Sequence, residues 1–402
     1  MKILHTSDWH LGQNFKNRTR EGEHRAFFEW LEKTIIDKKI DILIVAGDIF
    51  DTTNPPKYAL TMYHNFLVKL TQTSCREIVI VAGNHDSIAT IEMTKNFAKL
   101  LHIHIVASGE DIDETLVTIQ NEGKVEAIIC AVPFLRDKVL RDANIIQDNQ
   151  EIEEAFKEGI KNYYQNIYQK AVAISSKVPI IATGHFTTTG SSLKSDSERE
   201  IYIGKLSSVN SDILTPFDYV AMGHLHRAQK VGDNEYIRYS GSPIALSFSE
   251  YNQQKKVVIV TFDTKESKNI EILDIPSFKK MYRVEGTLAE IKEKIETIKD
   301  AQNRPFLDVI LSDDSLLNLD INEFLQDSYE KGVDILSFKR KYSVEDRVLV
   351  QEDIQKLNQL DTLEVFKKRV ALEENLVADD ALQEKLIQEY KIIVEELLDE
   401  DN

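Results

Sequence analysis

Cysteine is almost missing from this 402-residue chain, with only Cys75 and Cys130, and proline and glycine are sparse at 8 and 15 residues. Two cysteines without a Cys-x-x-Cys pair exclude a disulfide framework and point to a reducing compartment. So little proline and glycine excludes collagen-like and low-complexity architecture. No stretch approaches the roughly 20 apolar residues of a membrane span. Residues 1–8 run straight into a strand-like pattern and meet a charge before a signal-peptide core could form, so the expectation is a cytoplasmic protein with no membrane association. Positive charge is short as well. Forty-nine Lys and Arg against 67 Asp and Glu leave a net charge of −18, which excludes attachment to nucleic acid or anionic lipid by bulk charge. A local basic face or a bound metal can still bring phosphates to such a chain, because fields act over about 10 Å at physiological salt. A G-x-x-x-x-G-K-[ST] phosphate loop is also missing, so any ATP dependence would come from another polypeptide.

Hydrophobic residues at 42% and charged residues at 29% describe a globular chain of two to three domains at about 150 residues each. Strand-like runs occur at 2–6, 41–46, 77–82, 127–132, 179–183, 219–222 and 256–262, several apolar on both faces. Amphipathic helical patterns lie between them: 23–38, with Phe27, Leu31 and Ile35 at spacing four, and 57–71, with Leu60, His64 and Leu67 near one face. Buried strands covered by helices predict an α/β fold whose chemistry sits on loops at strand ends. Residues 274–277 look like a linker. Beyond it, strand 281–285, helix 288–299, strand 306–311, helix 321–329 and strand 334–338 predict a small α+β domain. After Tyr342 the chain is charged and helical. An apolar stripe of Leu382, Leu386, Tyr390, Ile393 and Leu397 there either packs on the chain's own body or docks onto a partner's helices. The expected domains are 1–275, 280–341 and 342–402.

Five segments hold most of the informative polar residues: Ser7-Asp8-Trp9-His10-Leu11-Gly12, Ala46-Gly47-Asp48-Ile49-Phe50-Asp51, Ala82-Gly83-Asn84-His85-Asp86, Thr183-Gly184-His185-Phe186 and Met222-Gly223-His224-Leu225-His226. Each follows a strand-like run. Two carboxylates, one amide and four imidazoles make a donor set for two neighbouring divalent ions, with one Asp as bridge. Ions about 3.5–4 Å apart would convert water into a nucleophile at neutral pH. Residues i and i+2 of an extended segment point the same way, so Asp8 with His10, and His224 with His226, could each chelate together. Glycines 47, 83, 184 and 223 precede ligands, where a residue without Cβ lets the backbone turn sharply.

The order D-x-H, G-D, G-N-H-[DE], H, G-H-x-H resembles the calcineurin-like metallophosphoesterase superfamily. The resemblance implies a metallophosphoesterase β-sandwich flanked by helices. It makes Asp8, His10, Asp48 and His226 ligands of one ion, and Asp48, Asn84, His185 and His224 ligands of the other. His85 would be the non-ligand catalytic histidine at the scissile phosphate, with Asp86 orienting its imidazole. The Asp-Arg-Gly of the superfamily's protein phosphatases is absent after Gly47-Asp48. Instead the first, second and fifth segments, with Arg227-Ala228-Gln229 and Tyr239-Ser240-Gly241-Ser242-Pro243, look like the SbcD family of bacterial nuclease subunits. That resemblance covers most of residues 1–250 and extends beyond 280 only in layout. It implies a Mn2+-dependent nuclease acting on double-stranded DNA ends from 3′ to 5′ and on single strands and hairpins in DNA repair and recombination. It also implies an SbcC-like coiled-coil ATPase partner bound by the helical tail, particularly 365–391, and a homodimer within a heterotetramer. Some relatives carry histidine where Asp51 stands; Asp51 is expected to hydrogen-bond a metal-ligating histidine or to shape the turn. Lys16, Arg18, Arg20 and Arg25, the group Arg136, Lys138 and Arg141, and Arg227 beside the last ligand are candidates for sequence-neutral phosphate contacts. The alternative for each is a solvated or ion-paired surface residue. Residues 191–199 could form a loop over the site. A small-phosphodiester hydrolase would not need the added C-terminal domains, and a non-catalytic scaffold would have lost ligands that are all present here.

Overall fold

A computed structural model describes residues 1–140, 149–191, 208–312 and 320–341, together with Leu386, Gln388 and Tyr390. Arg141, residues 192–199 and the rest of the tail stripe lie outside the described residues. Two six-stranded sheets form the body. In the first the order is Lys268–Asp274, Lys256–Phe262, Lys2–Thr6, Ile42–Ala46, Glu77–Val81 and Ile103–Val106. Its last four strands are parallel, with Leu4, Leu43, Ile78 and Ile103 in register, and Lys256–Phe262 joins them antiparallel. In the second the order is Gln229–Val231, Asn234–Tyr239, Tyr219–Gly223, Ile180–His185, Lys124–Cys130 and Leu116–Asn121. Its four inner strands are again parallel.

Side-chain alternation stacks these sheets into a sandwich. Ile42, Ile44 and Ala46 join Ile129, Ile181 and Ala221 of the other sheet in one buried cluster. Leu43 and Val45 point the opposite way, into a cluster with Phe27, Leu31 and Ile35 of the helix Glu21–Lys38 and Phe66 of the helix Lys57–Leu70. The second sheet is covered by the helix Asn149–Ile174, whose Ile160, Tyr164, Ile167 and Ala171 fall at spacings of four, three and four. That helix is an addition to the expected elements. On Lys57–Leu70 the buried residues are Ala59, Met62, Tyr63, Phe66, Leu67 and Leu70, so the expected stripe is rotated and Leu60 and His64 sit half-buried at its edge. Aromatic contacts set that rotation: Phe66 stacks on Phe28 at 4.2 Å between centroids and meets Trp9 edge-on at 5.8 Å.

The strands Met281–Gly286, Phe306–Leu311 and Asp334–Arg340 form a three-stranded sheet, with the helices Leu288–Ile298 and Ile321–Glu330 between them in sequence. Contacts group residues 1–284, 291–309 and 320–337 in one unit and 285–290, 310–319 and 338–402 in another. Among the described residues no helix is long and apolar enough to cross a membrane.

Two histidines are buried without serving the strand-end motifs, His5 on the strand Lys2–Thr6 and His24 on the helix Glu21–Lys38. His5 places Nδ1 2.9 Å from the Tyr219 hydroxyl and Nε2 3.2 Å from the Met222 carbonyl. Neither ring nitrogen of buried His24 has a well-aligned partner among the described residues. Burial holds both imidazoles down to about 3, whereas in the unfolded chain they titrate near 6.5. Below pH 6.5 the unfolded state therefore takes up protons that the folded state refuses, and stability falls as pH falls. Urea unfolding of the metal-free protein at pH 7.5 and 5.0 should show a loss about 2 kcal/mol smaller in His24→Phe than in wild type. An identical loss in both proteins would refute the assignment to His24.

Candidate metal centre

Because the inner strands of each sheet run parallel, their C-terminal ends share one edge, and the five motifs meet there. Trp9 is fully buried among Phe27, Phe28 and Phe66, and its indole donates to Thr6 Oγ1 at 3.0 Å. That anchor holds the first loop on either side of it. The amides of Asp8 and His10 donate to the Gly47 and Asp48 carbonyls, both at 3.0 Å, which ties the first motif to the second. The His85 amide donates to Asp48 Oδ1 at 2.9 Å, and the His224 amide to Asp8 Oδ1 at 2.8 Å, which joins the fifth motif across the two sheets.

The glycines do a different job from the one expected. Gly47 has a positive φ of 89°, but Gly83, Gly184 and Gly223 do not; the left-handed residues are the ligands themselves, Asp8 (53°), His10 (47°), Asp48 (51°) and His224 (93°). What the glycines supply is closeness. A Cβ on Gly223 would lie 1.8 Å from the Ala46 carbonyl oxygen, and one on Gly83 2.1 Å from Asp48 Oδ1. The loops converge only because these atoms are missing, and the strain falls on residues whose side chains face the site.

All seven predicted ligands come together. His10 Nε2 lies 3.2 Å from His226 Nε2 and 3.6 Å from Asp48 Oδ2, and Asp8, His10 and His226 present donor atoms within 4.8 Å of one another. On the other side Asp48 Oδ2 is 3.2 Å from His185 Nε2, while Asn84 Oδ1 is 2.9 Å from His185 Nε2 and 3.1 Å from His224 Nδ1. Asp48 Oδ2 stands between the two groups. His185 donates Nδ1–H to the Ala46 carbonyl at 2.9 Å, so its Nε2 would turn a lone pair toward two oxygens. A cation or a proton must resolve that confrontation. In the metal-free chain a proton does: burial opposes the charge, but Asp48 outweighs it and pushes the imidazole up to about 9. The same pairing holds the Asp48 carboxyl well below its usual range despite burial. The donor set fits hard and borderline divalent ions.

His85 is half-buried, edge-on to His10 at 4.9 Å between centroids. The expected Asp86 contact to its imidazole is corrected by the structure. His85 Nδ1 donates instead to the Asp51 carbonyl at 2.9 Å, and the Asp86 carboxylate accepts from the amides of Ile49 (3.1 Å), Phe50 (2.9 Å) and Gly83 (2.8 Å). Asp86 is thus a buried staple between the second and third loops. Burial and then the nearby Asp48 charge raise its carboxyl to about 6. Asp51 Oδ1 lies 3.2 Å from Nδ1 of the predicted ligand His10; burial lowers that imidazole, and Asp51 helps to raise it against that burial.

The family model described as Calcineurin-like phosphoesterase matches residues 1–228, the stretch that carries all five motifs. The chain belongs to that family. A second family model, described as Type 5 capsule protein repressor C-terminal domain, matches residues 277–374. Over 391 residues the chain is 40% identical to SbcD of the nuclease SbcCD from Escherichia coli (strain K12), covering 96% of each chain. The SbcD proteins of Rhodobacter capsulatus and Bacillus subtilis are each 34% identical, over 65% of this chain and 66% of theirs. Within the superfamily the chain is therefore a member of the SbcD family, a metal-dependent nuclease and hydrolase. Divalent metal ions are its cofactors.

The basic residues fare less well. Arg20 is buried, chelated by Glu23 and flanked by the rings of Phe15 and Phe306 at 5.5 and 5.7 Å. Reaching a phosphate would leave Glu23 unpaired, so Arg20 is structural. Arg18 is paired bidentately with Asp334 at 2.7 and 3.1 Å, and Arg136 donates to the Asp86 carbonyl at 2.7 Å. Arg25 and Lys138 pair with Glu21 and Glu110. Among the described residues, Arg227 is the one named arginine that is exposed beside a ligand. Glu250 and Lys255, buried behind His226, are not among the expected site residues: Gly241 marks a strand end upstream of them, but the two lie nine and fourteen residues beyond it with no motif spacing of their own.

If a divalent ion takes the place of the His185 proton, loading must release it. At pH 7.5, below a value of about 9, an indicator-dye titration of the metal-free protein should register about one proton released per chain from this site, and His185→Ala should lose that proton. Metal binding without proton release would contradict the assignment.

Proposed function

We propose that the chain cleaves DNA phosphodiesters with two divalent ions, Mn2+ in the cell. One is held by Asp8, His10, Asp48 and His226, and the other by Asp48, Asn84, His185 and His224. The observation that carries this reading is Asp48 Oδ2, which stands 3.6 Å from His10 Nε2 and 3.2 Å from His185 Nε2 between two otherwise separate donor groups. Such ions supply a nucleophile from water at neutral pH and neutralise charge developing on phosphorus. The chain's own residues do the rest. The Asp8 and Asp48 carboxylates, ordered by the amides of His224 and His85, are placed before substrate arrives. His85 gives its Nδ1 proton to a fixed carbonyl, which leaves Nε2 for the scissile phosphate. Burial lowers the imidazole, while Asp48 and Asp51 pull the other way. An incoming phosphate adds to that pull, so His85 can hand a proton to the departing sugar oxygen. Arg227 is the assigned phosphate contact.

The substrate we assign is double-stranded DNA ends, degraded 3′ to 5′, with single strands and hairpins cut internally, in DNA repair and recombination. The relatives are named as one component of the nuclease SbcCD, which supports an SbcC-like coiled-coil ATPase as partner. We assign residues 1–275 to the nuclease domain, 280–341 to a cap and 342–402 to docking that ATPase, all in the cytoplasm. A homodimer within a heterotetramer is supported by an apolar patch: Met93, Phe97, Leu100 and Leu101 are 70%, 76%, 79% and 49% exposed within nine residues of chain.

A blunt duplex labelled at either end should shorten from its 3′ ends in Mn2+, with His85→Leu slowed by about 10²–10⁴-fold and Asp48→Ala inactive while folded. Duplex that survives while an aryl phosphodiester is cleaved would leave the metal site standing and overturn the substrate. In sedimentation, Phe97→Glu should convert dimer to monomer without loss of helix signal; a variant that remains dimeric would move the interface elsewhere.

A further inference from the structure

Behind the last motif the segment from Ser240 to Lys255 buries a charge pair. Glu250 is 0% and Lys255 8% exposed, with the ammonium against Glu250 Oε2. A buried ion pair seldom adds net stability, since taking two charges out of water costs about as much as their attraction returns. Its partners suggest another reason for it. Lys255 Nζ donates to the His226 carbonyl at 3.1 Å and to Ser242 Oγ at 2.9 Å. The Ser242 amide donates to the same carbonyl at 3.2 Å. Glu250 Oε1 lies 3.6 Å from His226 Nδ1, and its Oε2 also accepts from the Leu246 amide at 3.3 Å. His226 is therefore gripped at both ends, its carbonyl by an ammonium and its ring by a carboxylate. A carboxylate at Nδ1 keeps the proton there and leaves the Nε2 lone pair pointing at His10 Nε2, 3.2 Å away.

We propose that Glu250, held in place by Lys255, is a positioning residue for His226: it fixes the Nδ1–H tautomer and the ring direction, so that Nε2 is delivered to a divalent cation. This rests on the metal-centre reading above. Glu250 touches neither substrate nor ion and acts only through the imidazole.

The test uses the full chain, metal-free and with 15N-labelled histidine. Ring 1H–15N correlation reports the His226 tautomer, and Mn2+ titration by calorimetry reports affinity. Glu250→Gln with Lys255→Met removes both charges together, so that no lone ion is left buried. The expected result is wild-type resistance to urea, a mixed His226 tautomer, and Mn2+ binding at one of the two sites weakened by about 10–100-fold. A double variant that keeps both the Nδ1–H tautomer and wild-type affinity would overturn the proposal and leave the pair a purely structural role. Should that variant unfold, Glu250→Asp with Lys255 retained keeps both charges but withdraws the carboxylate by one methylene. It should show the same tautomer mixing and weaker binding, and retention of both would again overturn the proposal. Wild-type protein that binds no Mn2+ would refute the metal centre instead, while the tautomer comparison would still decide the role of Glu250.

Discussion

Everything at the candidate site depends on how closely the two sheets approach along one edge. The Ala46 carbonyl, at the end of a strand in the first sheet, accepts from His185 of the second and leaves no room for a Cβ on Gly223. Widening that approach by the width of a methyl group would separate Asp8 and Asp48 from His185, His224 and His226. The approach is enforced from the middle of the sandwich, where Ile44 and Ala46 share a core with Ile181 and Ala221. Interior packing of this kind transmits position with little give.

The edge is costly in itself. Four non-glycine residues there are left-handed, a conformation that costs of order 1–3 kcal/mol each where the side chain is not tolerant of it. Two carboxylates are buried beside each other, and one of them, Asp48, is kept ionised chiefly by His185, whose imidazole holds a proton in the absence of metal. Three layers of apolar packing, the central one and the two beneath the helices, offset this strain. The result is a set of donors held at distances that only a cation or extra protons can reconcile, which is how a nuclease of this family is ready for its ions before they arrive.

Much of this was legible in the sequence because strand-end chemistry is written locally. Asp8-x-His10, Gly47-Asp48, Gly83-Asn84-His85-Asp86, Gly184-His185 and Gly223-His224-x-His226 each end an apolar run, and parallel strands bring such ends to one edge. The helix Asn149–Ile174 is less legible although its apolar residues keep helical spacing, because charged and polar residues separate them and the flanking strand-like runs are more continuously apolar. The choice between phosphate contact and ion pair for Arg18 and Arg20 was not legible, for a physical reason. Arg20 closes onto Glu23 only three residues away, but its burial comes from Phe306, 286 positions further on, and Arg18 meets Asp334 at a similar remove. No local pattern carries that information.

The sequence by itself determined the donor types, their order and the strand-end setting, since these follow from residue identity and from the period of apolar side chains. Tertiary structure alone decided which neighbour each of those residues would meet. It gave the Nδ1 proton of His85 to the Asp51 carbonyl rather than to adjacent Asp86, turned Asp86 into an acceptor for three amides, and set Glu250 behind His226. It also turned the motif glycines from hinges into points of close approach. Hydrogen bonds and contacts depend on distances between segments far apart in the chain, and those distances exist only once the two sheets have packed.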